Sequence, residues 1–155
     1  VLTLTPYIKK LFTLQTFVPY PDLNAISSVL DIKRLGKQRV ETYQIISTLK
    51  ALQQPSKTIG WAKHPAVLMW KGHEGFLSIY GLEMCRKWIS LGYQDTMMER
   101  FLDMSFHDYT PPSWWGYEPI HQSHRSKLIQ KNPLHYAPLF PEDQAGLEYI
   151  WGHHV

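Results

Sequence analysis

Apolar residues in this chain recur at spacings of three and four and almost nowhere alternate. Leu23, Ile26, Val29 and Leu30 make one such face; Val40, Tyr43, Ile46 and Leu49 make another. That period belongs to a helix with one buried side. Strand signals are weak throughout, and no internal repeat or low-complexity tract interrupts the pattern. The expected architecture is all-α: a compact single-domain helical bundle with long loops rich in Pro and aromatic residues.

The breakers place the helices. Pro19 and Pro21 fix an extended lead-in, and Asp22 is a good N-cap for a helix at about 23–33. A second helix is expected from about 36 to 53, with Gly36 separating it from the first or merely bending a single helix, and Pro55 ending it. Residues 54–63 read as a loop. Pro65 suits the first turn of a third helix, broken near Gly72 or Gly75, continuing through Trp88 and stopping at Gly92. Thr96 with Glu99 three residues later suggests a capping box opening a helix at about 96–106. A last helix is expected over about 120–131, stopped before Pro133, and the Pro- and aromatic-rich tail should wrap the surface. Residues 1–13 lack caps and period and read as an N-terminal extension to a single domain spanning 14–152.

Composition narrows the function classes. Charged residues are 19% and apolar residues 44%, values of a folded domain rather than a disordered one. The net charge of +3 permits a polyanionic partner without demanding one. Basic residues gather locally, at Lys33, Arg34, Lys37 and Arg39 and again at Arg125, Lys127 and Lys131. Cys85 has no partner cysteine and lies in an apolar helical stretch, which fits a buried small hydrophobe in a reducing, cytoplasmic setting. Monomer is the favoured state.

The richest polar stripe runs through Arg34, Lys37, Gln38, Glu41, Gln44 and Thr48 at spacings of three and four. A glutamate in such a stripe is ordinarily a surface ion-pair partner, and alternatively a general acid–base group. Of the eight histidines, His121 and His124 are three apart on a helix, a spacing that could chelate a metal; with no His-Glu-x-x-His and no paired Cys, no metal site is expected. His64 and His124 read instead as site-lining or capping groups. Trp114-Trp115 in a Pro/Gly loop could stack on bases or close over the core. No phosphate loop, serine elbow or dinucleotide fingerprint is present.

The stretch Leu30-Asp31-Ile32-Lys33-Arg34-Leu35-Gly36-Lys37-Gln38-Arg39-Val40-Glu41 resembles the first catalytic helix of the pyrimidine-dimer DNA glycosylases, the phage-type endonuclease V group. That helix has a Leu-Asp/Ala-x-x-x-Leu spacing and an acidic residue six positions later, met here by Leu30, Leu35 and Glu41. His64-Pro65 with the helix ending at Leu91-Gly92-Tyr93 is similar to the family's middle helix. His124-Arg125-Ser126-Lys127-Leu128, then Pro133 and His135-Tyr136, is similar to its C-terminal helix and aromatic tail. The likeness spans about 15–140. It is closer still to a bacterial group that opens Met-Gln-Thr-Phe-x-Pro-Tyr-Pro-Asp, as Gln15-Thr16-Phe17-Val18-Pro19-Tyr20-Pro21-Asp22 does here.

The resemblance implies a cofactor-free DNA glycosylase and abasic-site lyase acting on damaged pyrimidines in double-stranded DNA. An α-amine attacks C1′ and the catalytic carboxylate moves protons. It implies Glu41 as that carboxylate, Gln15 or Thr16 as the amine position, His64 beside them, and Arg34, Lys37, Arg39, His124, Arg125, Lys127, Trp114 and Trp115 on DNA. Two other readings use the same scaffold: a non-catalytic nucleic-acid-binding module, and a hydrolase of the N-glycosidic bond in nucleosides or nucleotides that works through Glu41 and His64.

Overall fold

The computed structural model describes residues 14–54 and 63–155. Among them are seven α-helices, a final 3-10 turn at Gly152–His154, and no strand, so the all-α expectation holds. The helices are α1 (Leu23–Val29), α2 (Ile32–Ala51), α3 (Pro65–Leu68), α4 (Glu74–Ser90), α5 (Met97–Leu102), α6 (Glu118–Lys131) and α7 (Pro133–Tyr136). The expected extension at 1–13 and most of the expected 54–63 loop lie outside the described residues. No described helix is long and apolar enough to cross a membrane.

The two longest helices, α2 and α4, form the central pair. Helices α1 and α5 pack on α4, α3 on α2, and α7 on α6. The core joins Ile45 and Ile46 of α2, Leu77, Tyr80 and Met84 of α4, and Ile120 and Leu128 of α6 with Phe17 and Val18 of the lead-in. Burial of each such side chain contributes about 1.5–3 kcal/mol. Cys85 is buried here too, and burial, chiefly, pushes its thiol up to about 12, so it is inert packing.

Several starts and stops follow the sequence. Asp22 caps α1 by accepting from the Ala25 amide at 2.8 Å. Pro65 lies in the first turn of α3, with His64 as its cap. Gly72 and Gly92 take positive φ, at 85° and 94°, where the chain breaks before α4 and stops after it.

The boundary between the first two helices differs from the expectation. It falls at Leu30-Asp31, where Leu30 turns extended and Asp31 takes the N-cap position of α2 without a side-chain cap bond, five residues before Gly36. Asp31 is held there by the Tyr136 hydroxyl and by Arg34. Gly36 lies inside α2 because the Trp88 indole packs on it: a Cβ would stand 3.0 Å from the ring. The capping box at Thr96 does not form. Asp95, one residue earlier, caps instead, accepting from the Met98 amide at 2.7 Å, and α5 ends at Leu102. In the tail, Asn132 caps the short helix α7 through the His135 amide, an element the sequence reading left as wrapping coil.

Candidate active site

Residues 15–19 run extended through the interior between α2, α4 and α6. Pro19 has no N–H to give, and among the described residues no backbone group bonds to this segment. Buried peptide groups must still be bonded. Side chains do the bonding. The Gln15 amide donates to Glu41 Oε2 at 3.1 Å. Gln38 Nε2 donates to the Gln15 carbonyl at 2.8 Å, and its Oε1 accepts from the Phe17 amide at 2.7 Å. The Tyr80 hydroxyl lies 2.8 Å from the Phe17 carbonyl and 2.7 Å from Gln38 Oε1. Trp70 Nε1 donates to Thr16 Oγ1 at 2.7 Å.

Helix α6 takes over further along. His124 Nδ1 accepts from the Val18 amide at 2.9 Å, and His121 Nδ1 lies 2.8 Å from the Val18 carbonyl. Arg125 donates to the Pro19 carbonyl at 2.8 Å. The two imidazoles are opposite tautomers. His124 must leave Nδ1 bare to accept, whereas His121 donates from Nδ1 and accepts the Gly116 amide at Nε2. Burial holds both neutral: it lowers His121 below its usual value and carries His124 down to about 3.

This scaffold delivers Glu41 to the wall of a cleft of about 140 Å³. The cleft is lined by Gln15, Phe17, Gln38 and Glu41 with four cations, Lys33, Arg34, Lys37 and Lys131. Glu41 is largely buried, and Gln38 Nε2 also donates to its Oε2, at 3.3 Å. A carboxylate fixed by amide donors inside a ring of cations can stabilise developing positive charge and shuttle protons. The cations attract phosphate.

The residues set down from the sequence divide accordingly. Gln15, Arg34, Lys37 and Glu41 come together at the cleft. Thr16 is fully buried one residue behind it. His64 does not line the cleft: it caps α3, accepting from the Ala66 amide, and meets Trp151 edge-on. Arg39 pairs with Asp95 and lies over the Trp88 ring, 4.4 Å from its centroid. His124, Arg125 and Trp114 turn inward rather than toward a DNA surface. His124 and Arg125 hold the lead-in, Arg125 also bonding Asp143 and Glu118. Trp114 is 4% exposed and donates to the Met69 carbonyl at 3.0 Å. Trp115 is half-buried against Phe76 and His121. Lys127 stands among the cations around Lys131.

Gln38, Tyr80, His121 and Lys131 join the site although no local sequence motif marks them for it. Gln38 was visible in the polar stripe. Tyr80 read as core, and its hydroxyl had no sequence signal.

A profile of the pyrimidine dimer DNA glycosylase family matches residues 14–100. The match starts just before the buried lead-in and takes in both it and the Glu41 helix. The chain belongs to that family. Searches of curated proteins and of solved structures found no match.

Proposed function

We propose that this protein is a DNA N-glycosylase and abasic-site lyase acting on damaged pyrimidines in duplex DNA, with Glu41 as its catalytic carboxylate. The observation that carries this reading is the 3.1 Å contact between the Gln15 backbone nitrogen and Glu41 Oε2 at the mouth of a cationic cleft. Family membership supplies the substrate class.

In a form of the protein that begins at Gln15, this nitrogen is an α-amine. Its reference pKa of ~8 leaves roughly a tenth of it neutral at pH 7, whereas an ordinary lysine is less than a thousandth neutral. The amine attacks C1′ of the damaged nucleotide. The C1′–N bond breaks, and the base takes the electron pair and a proton; in a cyclobutane dimer it stays tethered to its neighbour. Ring opening gives an imine, and Glu41 removes a C2′ proton to expel the 3′ phosphate. Reaching C1′ requires the nucleotide to be drawn out of the stack. Lys33, Arg34 and Lys37 hold the flanking phosphates.

The test uses a duplex carrying one cyclobutane pyrimidine dimer, with the full chain and a chain beginning at Gln15. Strand cleavage at the dimer that Glu41→Gln abolishes supports the reading. Salt-sensitive binding with no glycosidic-bond or strand cleavage by either form would instead leave a DNA-binding module.

A further inference from the structure

We propose that Lys131 is a second amine nucleophile of this cleft, forming an imine with the C1′ aldehyde of an abasic site when residue 15 is held in a peptide bond. The inference rests on the glycosylase–lyase reading and assigns the covalent step to a side chain.

Where Gln15 follows Leu14, its nitrogen is an amide, which is not nucleophilic, and its hydrogen is already given to Glu41. Leu14 is buried at 1% exposure, so the segment is locked in that position. Imine chemistry then needs another amine beside the carboxylate. Lys33 and Lys37 share α2 with Glu41. Among the described residues lining the cleft, Lys131 alone comes from α6, as its last residue. Amine and carboxylate thus stand on separate elements, and a sugar entering the cleft can lie between them.

The surroundings of Lys131 also favour the free amine. Its side chain is exposed enough to be reached. Partial burial of its ammonium, then Arg34, Lys127 and Lys37, lower its pKa below the usual lysine range, against an opposing pull from Glu41. Crowding by other cations is one of the recognised ways to make a lysine nucleophilic.

The step balances without a co-reactant. Neutral Nζ adds to the aldehyde carbon, a proton passes from nitrogen to oxygen, and water leaves to give the imine. Glu41 takes a C2′ proton; the electron pair breaks the C3′–O bond, and the 3′ phosphate departs. Water then hydrolyses the imine and restores Lys131.

The experiment is borohydride trapping of the full chain on a duplex with one abasic deoxyribose, with the adduct mapped by proteolysis and mass spectrometry. The expected adduct is on the Lys131 peptide, with yield cut at least ten-fold in both Lys131→Met and Lys131→Arg and unchanged in Lys71→Met. The arginine variant keeps the charge but has no nucleophilic amine, so undiminished trapping in Lys131→Arg overturns the proposal and leaves Lys131 a phosphate clamp. An adduct mapped elsewhere also overturns it. So does Glu41-dependent cleavage of the glycosidic bond at a dimer, read as base release after photoreversal, without any adduct, and the glycosylase reading survives all three outcomes. Absence of both adduct and base release defeats that reading and the lysine together.

Discussion

Gln38 donates to the Gln15 carbonyl at 2.8 Å, tying the helix that carries Glu41 to the segment that meets its carboxylate. The other end of the same amide takes the Phe17 N–H. One side chain therefore satisfies two peptide groups and sets how far Gln15 lies from Glu41. Truncating Gln38 to Ala leaves the Phe17 N–H buried and unpaired and strips the part-buried Gln15 carbonyl of its donor. The expected cost is about 1–3 kcal/mol of folding stability, the penalty of one orphaned buried N–H. Urea unfolding measures it, and a loss below about 0.5 kcal/mol would show that the lead-in finds other partners.

Stability should fall as pH drops below 6.5, where His121, His124 and His153, all lowered by burial, resist protonation in the fold. Burial lowers the pKa of His121 below 6.5, and His124 protonates in the fold only at about 3, against 6.5 when unconstrained. Below 6.5 the unfolded chain therefore binds more protons than the native one, and folding loses up to ~1.4 kcal/mol per pH unit for each such group. Asp31 and Asp95 contribute lower down. Burial pushes their carboxyls up, but Tyr136 and Arg34 for Asp31, and the Met98 and Met97 amides with Arg39 for Asp95, outweigh it and hold them below the usual range. The slope between pH 6.5 and 5 is thus a histidine effect, and His124→Gln should flatten it. Denaturation midpoints across that range decide; an unchanged slope in the variant would remove His124 from the account.

How legible this was follows from which residues carry local signals. Helix periods, Asp22, Pro65, Gly72 and Gly92 act within a few residues, so the elements they set could be read directly. Glu41 could be singled out because its spacing from Leu30 and Leu35 matches a known helix. Gly36 read as a breaker, but its role is to admit Trp88, 52 positions away, and no local pattern encodes that. The same limit applies to His124 and Arg125. A basic, polar helix face looks solvated until a proline-locked segment with no strand partner is seen to need its donors and acceptors. Lys131 was seen only as part of a basic cluster, because the cleft forms when α6 meets α2.

The cations separate into those free to meet a phosphate and those committed to the fold. Lys37 is exposed at the cleft. Lys37→Ala should lower duplex affinity for any sequence and reduce the salt slope of binding by about one ion, with stability nearly unchanged. Arg125→Ala should do the reverse: lose stability, because it strips Pro19, Glu118 and Asp143 of their donor, and alter the salt slope little. Fluorescence anisotropy from 50 to 200 mM salt, paired with thermal melts, distinguishes the two. Equal salt slopes for both variants would mean that Arg125 reaches the DNA.

Glu41→Gln isolates the chemistry from the binding. The substituted amide oxygen can still accept from the Gln15 N–H, so the lead-in keeps its place and the fold should change little. Removing the negative charge from among Lys33, Arg34, Lys37 and Lys131 should leave duplex affinity equal or slightly higher. The proton-transfer step loses its base, and catalysis by a positioned acid–base group is typically worth ~10²–10⁴-fold. Single-turnover cleavage of dimer-containing duplex should therefore fall at least a hundredfold while the binding constant holds. A rate within tenfold of the unaltered protein would remove Glu41 from the mechanism and return it to the role of an ordinary buried hydrogen-bond acceptor.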